Sequence, residues 1–339
     1  MSTSGILDGD AAGPSAAGGT QPALSIVMPL YNKEHEILRS IGSVVRQTVG
    51  GWELIVIDDG STDASAQRVE QINDPRIAMF RQTNAGVAAA RNAGAARARA
   101  RFVAFLDADD EWDEDMVATL LGLQKSHPSA RVLATGYRVR HFPDAGVEAV
   151  IRGLEANFET GLLDDYFSIA AQSDPPITSS SVAVERAALD AVGGFPVGLA
   201  AGEDLVTWAR LAARYPIAFA RGAHATFWAP ADTTKRPGRR PAVPDRVAAA
   251  LANLHVPGRD RYLAHWYRMR GVHYLQLEEP GNARREFRLA LRRNPRDPML
   301  WALLGVGLLP GFAGLILYRA FKARQRRRAQ PANPGESLP

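Results

Sequence analysis

Short apolar runs alternate with stretches of helical period over the first third of the chain, and each run ends in polar residues. Leu24-Ser25-Ile26-Val27-Met28 predicts a strand ended by Pro29, with Asn32 placed to cap the helix that follows. Ile37, Leu38, Ile41, Val44 and Val45 recur at helical spacing up to about Thr48, with Glu34 and Glu36 near the positive end of the helix dipole. Residues 52–57 form the second predicted strand, which opens into Asp58-Asp59-Gly60-Ser61-Thr62-Asp63. A third strand is predicted over residues 76–80; the turn Asn84-Ala85-Gly86 then leads into an alanine-rich helix through Arg91 towards Arg99. The apolar run 102–106 is the fourth, and it breaks into Asp107-Ala108-Asp109-Asp110. Four strands separated by helices predict an α/β fold with a doubly wound, mainly parallel sheet.

Beyond Asp110 the pattern loosens. A helix is expected over 116–125, a strand over 131–140, and a polar run over 172–181; the glycine-rich turn Gly193-Gly194-Phe195 precedes Gly202-Glu203-Asp204 and a helix over 205–214. Residues 1–23 lack the basic and apolar regions of a signal peptide and are expected to be a disordered leader, ahead of a main α/β domain over 24–231. Residues 232–256 turn to Pro, Arg and Ala and are expected as a linker. In the helical region 257–325, Tyr267, Gly271, Tyr274, Ala283, Phe287, Ala290 and Pro295 fall in the register of a tetratricopeptide repeat. One such pair cannot bury a core alone, so it is expected to dock on the catalytic domain or on a partner. Residues 299–317 carry no charge, and Pro310-Gly311 splits them. A bilayer span, an interfacial anchor and a protein-packed helix all remain open for that segment, ahead of a basic tail at 326–339.

Composition narrows this picture. A chain of 339 residues holds one large or two ordinary domains, and the absence of cysteine excludes disulfides, thiolate metal sites and a cysteine nucleophile. The net charge of +4 is uneven: from Gly281 onward there are twelve Lys or Arg against three Asp or Glu, so the rest of the chain sums to −5. Basicity is therefore a property of the C-terminal end, which suits phosphates of lipid or nucleic acid, or plain solvation.

Two predicted strands end in paired carboxylates, at Asp58-Asp59 and at Asp107 with Asp109, on the edge where open α/β sheets bind ligands. Hard carboxylates one residue apart suit a divalent cation that bridges a diphosphate; the same residues also suit turns and helix caps. The first turn, Pro29-Leu30-Tyr31-Asn32-Lys33, has neither a dinucleotide glycine fingerprint nor a Walker loop, so a nucleotide here is held through carboxylates and a metal.

The chain resembles the inverting family 2 glycosyltransferases of GT-A fold. The resemblance rests on 27–32, Ser43 to Gln47-Thr48, 56–63, Asn84-Ala85-Gly86 with 90–94, 105–110, and Gly193-Gly194-Phe195 before Glu203-Asp204, and it covers about 24–214. It implies that Asp59 contacts the nucleobase with Pro29 and Tyr31 beside it, and that Arg91 approaches the nucleotide. It further implies that Asp107 and Asp109 form the DxD motif, with Asp109 the more direct ligand of Mg2+ or Mn2+ and Asp107 towards the ribose. Asp204 matches the family's general base, with Glu203 its neighbour, and His224 is a further candidate for the metal or diphosphate. The sequence departs from processive members in lacking a Gln-x-x-Arg-Trp-type motif, which argues against chain polymerisation, and it has Thr233-Thr234-Lys235-Arg236 where a basic and histidine cluster is usual.

The implied activity is transfer of a sugar from a nucleoside-diphosphate sugar to a hydroxyl of a glycan or lipid-linked acceptor in cell-envelope synthesis. A sugar nucleotidyltransferase and an inactive glycosyltransferase-like scaffold are the competing readings; nucleic acid is not an expected partner, because no aromatics interleave the basic tail. The expected location is the cytoplasm, peripheral at the inner membrane face.

Overall fold

The computed structural model describes residues 21–141, 146–199, 202–229, 245–252 and 254–308. The expected leader up to residue 20, most of the expected linker, the 233–236 cluster, the end of the apolar segment and the basic tail lie outside these residues. Strands β1 (Leu24–Leu30), β2 (Trp52–Asp58), β3 (Ile77–Arg81) and β4 (Phe102–Phe105) pair in parallel in the order β3-β2-β1-β4. They alternate with helices α1 (Ile37–Val45), α2 (Ser65–Glu70) and α3 (Val87–Arg97). β1 and β2 are buried on both faces, as helix-covered parallel strands must be. The doubly wound half of the expectation is therefore present.

Past β4 the sheet becomes mixed. β5 (Glu111–Trp112), α4 (Met116–Ser126), β6 (Val132–His141), β7 (Val147–Glu148), β8 (Thr160–Leu162) and α5 (Tyr166–Ala170) come next. β9 (Val182–Glu185) then inserts antiparallel between β4 and β6, while β10 (Ile217–Ala229) runs parallel to β6. Because β9 runs against β4, the 3-10 turn Ser179–Ser181 before it arrives at the carboxyl end of β4. Helices α6 (Arg186–Ala191) and α7 (Glu203–Ala212) lie between β9 and β10.

Asn32 does not cap α1. It adopts a left-handed φ of 51°, its Oδ1 accepts from the Thr62 amide at 2.8 Å, and the helix starts later with Glu36 at the cap. The stretch expected as a linker contains helix α8 (Arg246–Leu251), because the Asp245 side chain caps it at Ala248 and Val247 and Leu251 bury one turn apart.

The C-terminal helices α9 (Arg259–Gln276), α10 (Pro280–Arg293) and α11 (Pro298–Val306) follow. The α9–α10 pair forms as its small and aromatic residues dictate: Gly271 leaves room for the Phe287 ring, and Arg270 makes a bidentate ion pair with Glu286 at 3.0 and 3.1 Å inside it. The pair docks on the α/β domain. Tyr262, Leu263, Tyr267 and Leu291 share one core with Val27, Phe105 and Trp208, and Tyr262 packs edge-on to Phe167 at 5.4 Å. No helix among the described residues is long and apolar enough to cross a membrane.

The close approach of α3 to β1 depends on Gly94, where an added Cβ would run into the Val27 side chain. Both groups are enclosed, so Gly94→Ala is expected to cost about 1–3 kcal/mol through overpacking. A urea midpoint unchanged from the wild type would contradict this contact.

Candidate active site

The parallel register brings three loops to one edge. Leu30 lies opposite Asp58, and Leu106 donates to Val27 O at 3.0 Å, so the segments 31–34, 58–65 and 107–113 begin at the same level of the sheet. Helix α1 holds the third of these. Ser40 Oγ donates to Ala108 O at 2.8 Å, Ser43 Oγ accepts from the Trp112 amide at 3.1 Å, and Gln47 bonds both Asp113 O at 2.7 Å and the Val117 amide at 2.8 Å. The motif Ser43 to Gln47 therefore serves to position the DxD loop.

Arg91-Asn92-Ala93-Gly94 divides its labour by direction around α3. Asn92 clamps the Gly-Gly-Phe turn through the amide and carbonyl of Phe195 at 2.9 and 2.8 Å. Gly193 and Gly194 take φ of 82° and 62°, which favours glycine at both. Phe195 then seals against Phe105 and Trp208, with ring centroids 5.0 and 5.5 Å away. Arg91, 3% exposed, points to the carboxylates: one nitrogen donates to Asp107 at 2.7 Å and another to Glu203 at 2.9 Å. This joins the DxD loop to the start of α7 across 112 residues of sequence. Burial disfavours the guanidinium charge, but Asp107, Asp204 and Glu203 more than offset it and hold its pKa above the ordinary arginine value.

The two neighbouring carboxylates of α7 are not equivalent. Glu203 is buried and committed to Arg91. Asp204 keeps a partly open face and, among the described residues, accepts from the adjacent Leu205 amide at 2.8 Å. Enclosure on its other sides, reinforced by Glu203 and opposed by Arg91, pushes its carboxyl up to about 6. Tyr166 and Tyr262 stand near enough to feel its charge, and burial first of all raises both phenols. Helix α9 thus contributes to the surroundings of Asp204.

Asp109 is partly exposed and meets the Lys33 ammonium at 2.5 Å. Asp110 is buried; Ser180 Oγ lies 2.5 Å from one oxygen and the Trp228 amide donates to the other at 3.1 Å. Burial, then the charges of Asp107 and Asp109, raise its pKa well above the usual carboxylate range. Lys33 and Ser180 were not singled out in the sequence. The signal for Ser180 was a polar run that is nonetheless buried in front of β9.

Asp59 is also buried, and its carboxylate accepts from Gln82 Nε2 at 2.8 Å, the Ala85 amide at 2.9 Å and the Gly86 amide at 2.8 Å. It fixes the entry to α3. A nucleobase contact there would use its remaining lone pair. Pro29 is half-buried at the end of β1 and Tyr31 is 48% exposed beside it. His224 lies apart from the DxD pair in its bonding, with Nδ1 at 2.8 Å from Asp115. A surface cavity of about 700 Å³ opens between Asp165 and Ser168 at the start of α5 and His255, Gly258, Arg259 and Arg261 around the start of α9, and none of the clustered carboxylates lines it.

A metal fits the DxD pair by its donor chemistry. Asp107 and Asp109 offer partly open oxygen donors, and a cation, the Lys33 ammonium, already lies against Asp109. Among the described residues no three His, Cys, Asp or Glu side chains gather as a cage. Mg2+ is characteristically held by one or two carboxylates together with substrate phosphates and water.

A mixed α/β sheet thus carries an acidic carboxyl edge, with Asp107 and Asp109 on the loop after β4 and the pair Glu203-Asp204 at the start of α7. The family model described as Glycosyl transferase family 2 matches residues 25–161. The chain is 48% identical over 90 residues to the UDP-Glc:alpha-D-GlcNAc-diphosphoundecaprenol beta-1,3-glucosyltransferase WfgD of Escherichia coli, covering 26% of this chain and 36% of the relative. It is 36% identical over 120 residues to the putative teichuronic acid biosynthesis glycosyltransferase TuaG of Bacillus subtilis, covering 34% and 47%. It spans less than half the length of both curated relatives. In fold it is similar to S. aureus TarS 1-349 in complex with UDP-GlcNAc, with a TM-score of 0.64 at 18% identity over 93% of this chain and 98% of that one. Residues 25–161 thus match the family 2 glycosyltransferase model, on a fold similar to that of TarS.

Proposed function

We propose that the chain transfers a sugar from a nucleoside-diphosphate sugar to an acceptor hydroxyl in a single inverting displacement, with Asp204 as the base. The observation that carries this reading is the division between Glu203 and Asp204: one carboxylate is tied to Arg91, while the other is partly open and has its pKa raised to about 6. A base near neutrality can take the acceptor proton as the hydroxyl attacks the anomeric carbon. Arg91 fixes Glu203 and Asp107 relative to one another, so donor and acceptor sides of the cleft keep their spacing. Asp59, Pro29 and Tyr31 would face the nucleobase, and Asp107 the ribose. Asp109, with Asp107 beside it, would hold Mg2+ or Mn2+, which when bound supplies positive charge against the diphosphate leaving group. A neighbour of the same fold, the mannosyltransferase PcManGT from Pyrobaculum calidifontis, is recorded with GDP-Man and Mn2+, at a TM-score of 0.56 and 20% identity over 91% of this chain and 85% of that one.

The acceptor side of the proposal is a lipid-linked or cell-envelope glycan. Its support is the likeness to WfgD, whose name gives a diphosphoundecaprenol-linked sugar, and to TuaG, whose name gives teichuronic acid biosynthesis. Attachment to the inner face of an anionic membrane belongs to the same proposal. It is supported by exposed Trp301 and Leu308 at the C-terminal end of the described helices, ahead of the basic residues 319–328.

A screen of nucleotide sugars for diphosphate release, with Mn2+ and with chelator, tests the donor half. The expected result is release from one or a few donors that stops with chelator and in Asp109→Ala. Unchanged release by Asp109→Ala in chelator would remove the metal from the mechanism. New nucleotide-sugar formation from a sugar phosphate would favour the nucleotidyltransferase reading.

A further inference from the structure

Both carboxylates of the DxD pair carry a cation drawn from the chain itself, and the two cations differ in kind. Arg91 on Asp107 is buried, planar and shared with Glu203, so it is a fixed part of the framework. Lys33 on Asp109 is a single flexible side chain, and the pair it makes is about a third open on each side, at 33% and 27%.

The backbone under Lys33 cannot follow its side chain. The Lys33 amide donates to Ser65 Oγ at 2.7 Å, Asn32 Oδ1 accepts from the Thr62 amide at 2.8 Å, and Glu34 Oε2 accepts from the Ala64 amide at 3.1 Å. The loop is thus stitched to residues 61–65 on both sides of the lysine. Only the four-carbon stem is left to swing, and its ammonium stays within one side-chain length of Asp109 wherever it goes.

An ammonium at 2.5 Å from Asp109 Oδ2 and a divalent cation at its usual ~2.1 Å from the same carboxylate would repel one another at close range. We propose that Lys33 is the internal counter-ion of Asp109 in the donor-free enzyme and gives that carboxylate up only to a divalent cation arriving with a diphosphate, whose oxygens then take the displaced ammonium. This rests on the proposed reading of Asp109 as a metal ligand. A pair about a third open on each side is weak enough to be exchanged, whereas a bare divalent cation brings no anion of its own for the displaced ammonium. Metal and nucleotide accordingly bind together, and metal alone binds poorly.

The test is Mn2+ binding by electron paramagnetic resonance on the full chain, with Mn2+ alone and with UDP or GDP added. The variants are Lys33→Met, Lys33→Arg and Asp109→Asn, each checked for wild-type circular dichroism. Lys33→Met is expected to bind Mn2+ alone about fivefold tighter than the wild type or better, since it frees Asp109 of its counter-ion. Lys33→Arg should stay close to the wild type. Added nucleotide should tighten Mn2+ more in the wild type than in Lys33→Met, which has no ammonium to offer the diphosphate. Equal Mn2+ affinities in wild type and Lys33→Met, or none measurable in either, would overturn the counter-ion role. If Asp109→Asn alone lost Mn2+ in that case, the metal-ligand reading would still stand. Wild-type Mn2+ binding by Asp109→Asn would instead bring down the ligand reading itself.

Discussion

Asp204→Asn is expected to lower turnover by about 10²–10⁴-fold while leaving nucleoside-diphosphate binding in place, because it removes the group that takes the acceptor proton and leaves the donor loops intact. The wild-type rate should rise with pH through an apparent pKa near 6, the value to which burial and Glu203 push Asp204. Glu203→Gln keeps an acceptor for Arg91 but removes a repelling charge, so it should be milder and should move that limb to lower pH. The same shift has a stability consequence whose sign is opposite to that of a salt-bridged carboxylate. A carboxyl with a raised folded pKa holds its proton in the folded state when the unfolded chain has already lost it. Wild-type stability relative to Asp204→Asn should therefore fall as pH rises from about 4 to about 6, by up to about 3 kcal/mol. Parallel melts of the two proteins across that range, with no acidic limb in the rate profile, would count against Asp204 as the base.

Arg91→Met should be the most damaging substitution to the fold. It leaves Asp107, Glu203 and Asp204 clustered at the end of β4 and the start of α7 with their shared cation gone. Breaking a buried ion pair from one side costs about 3–5 kcal/mol, since the partner charge stays buried. Urea denaturation should show a large fall in midpoint, and transfer should be lost because the two halves of the cleft are no longer tied. Arg91→Lys should recover part of the stability but not the bidentate spacing between Asp107 and Glu203. A midpoint for Arg91→Met within about 0.5 kcal/mol of the wild type would show that the guanidinium is not what holds these carboxylates together.

The parts of this site legible in the sequence are those with a local pattern. Apolar runs that break into Asp58-Asp59 and Asp107-Ala108-Asp109 place the carboxylates at strand ends, and the parallel register then sets them on one edge. What was not legible lies in contacts between distant segments. The Lys33 to Asp109 pair spans 76 residues, the Asn92 clamp on Phe195 spans 103, and neither end carries a periodic signal. Asn32 shows a different limit, since a residue type that caps helices also tolerates a left-handed turn, and the loop at Thr62 decided between them. The antiparallel insertion of β9 likewise leaves no trace in its own four residues, yet it is what delivers Ser180 to Asp107 and Asp110. The tetratricopeptide-like spacing was informative about α9 and α10, but not about their docking next to Asp204, which depends on Tyr262 meeting Phe167.

The stereochemistry of transfer tests the account most directly. Proton NMR of the product formed from an α-linked nucleotide sugar, read at its anomeric coupling during the first turnovers, should show the β-anomer only, and no product from Asp204→Asn over the same time. An α-linked product, or β-product formed at the wild-type rate by Asp204→Asn, would contradict a single displacement with Asp204 as its base.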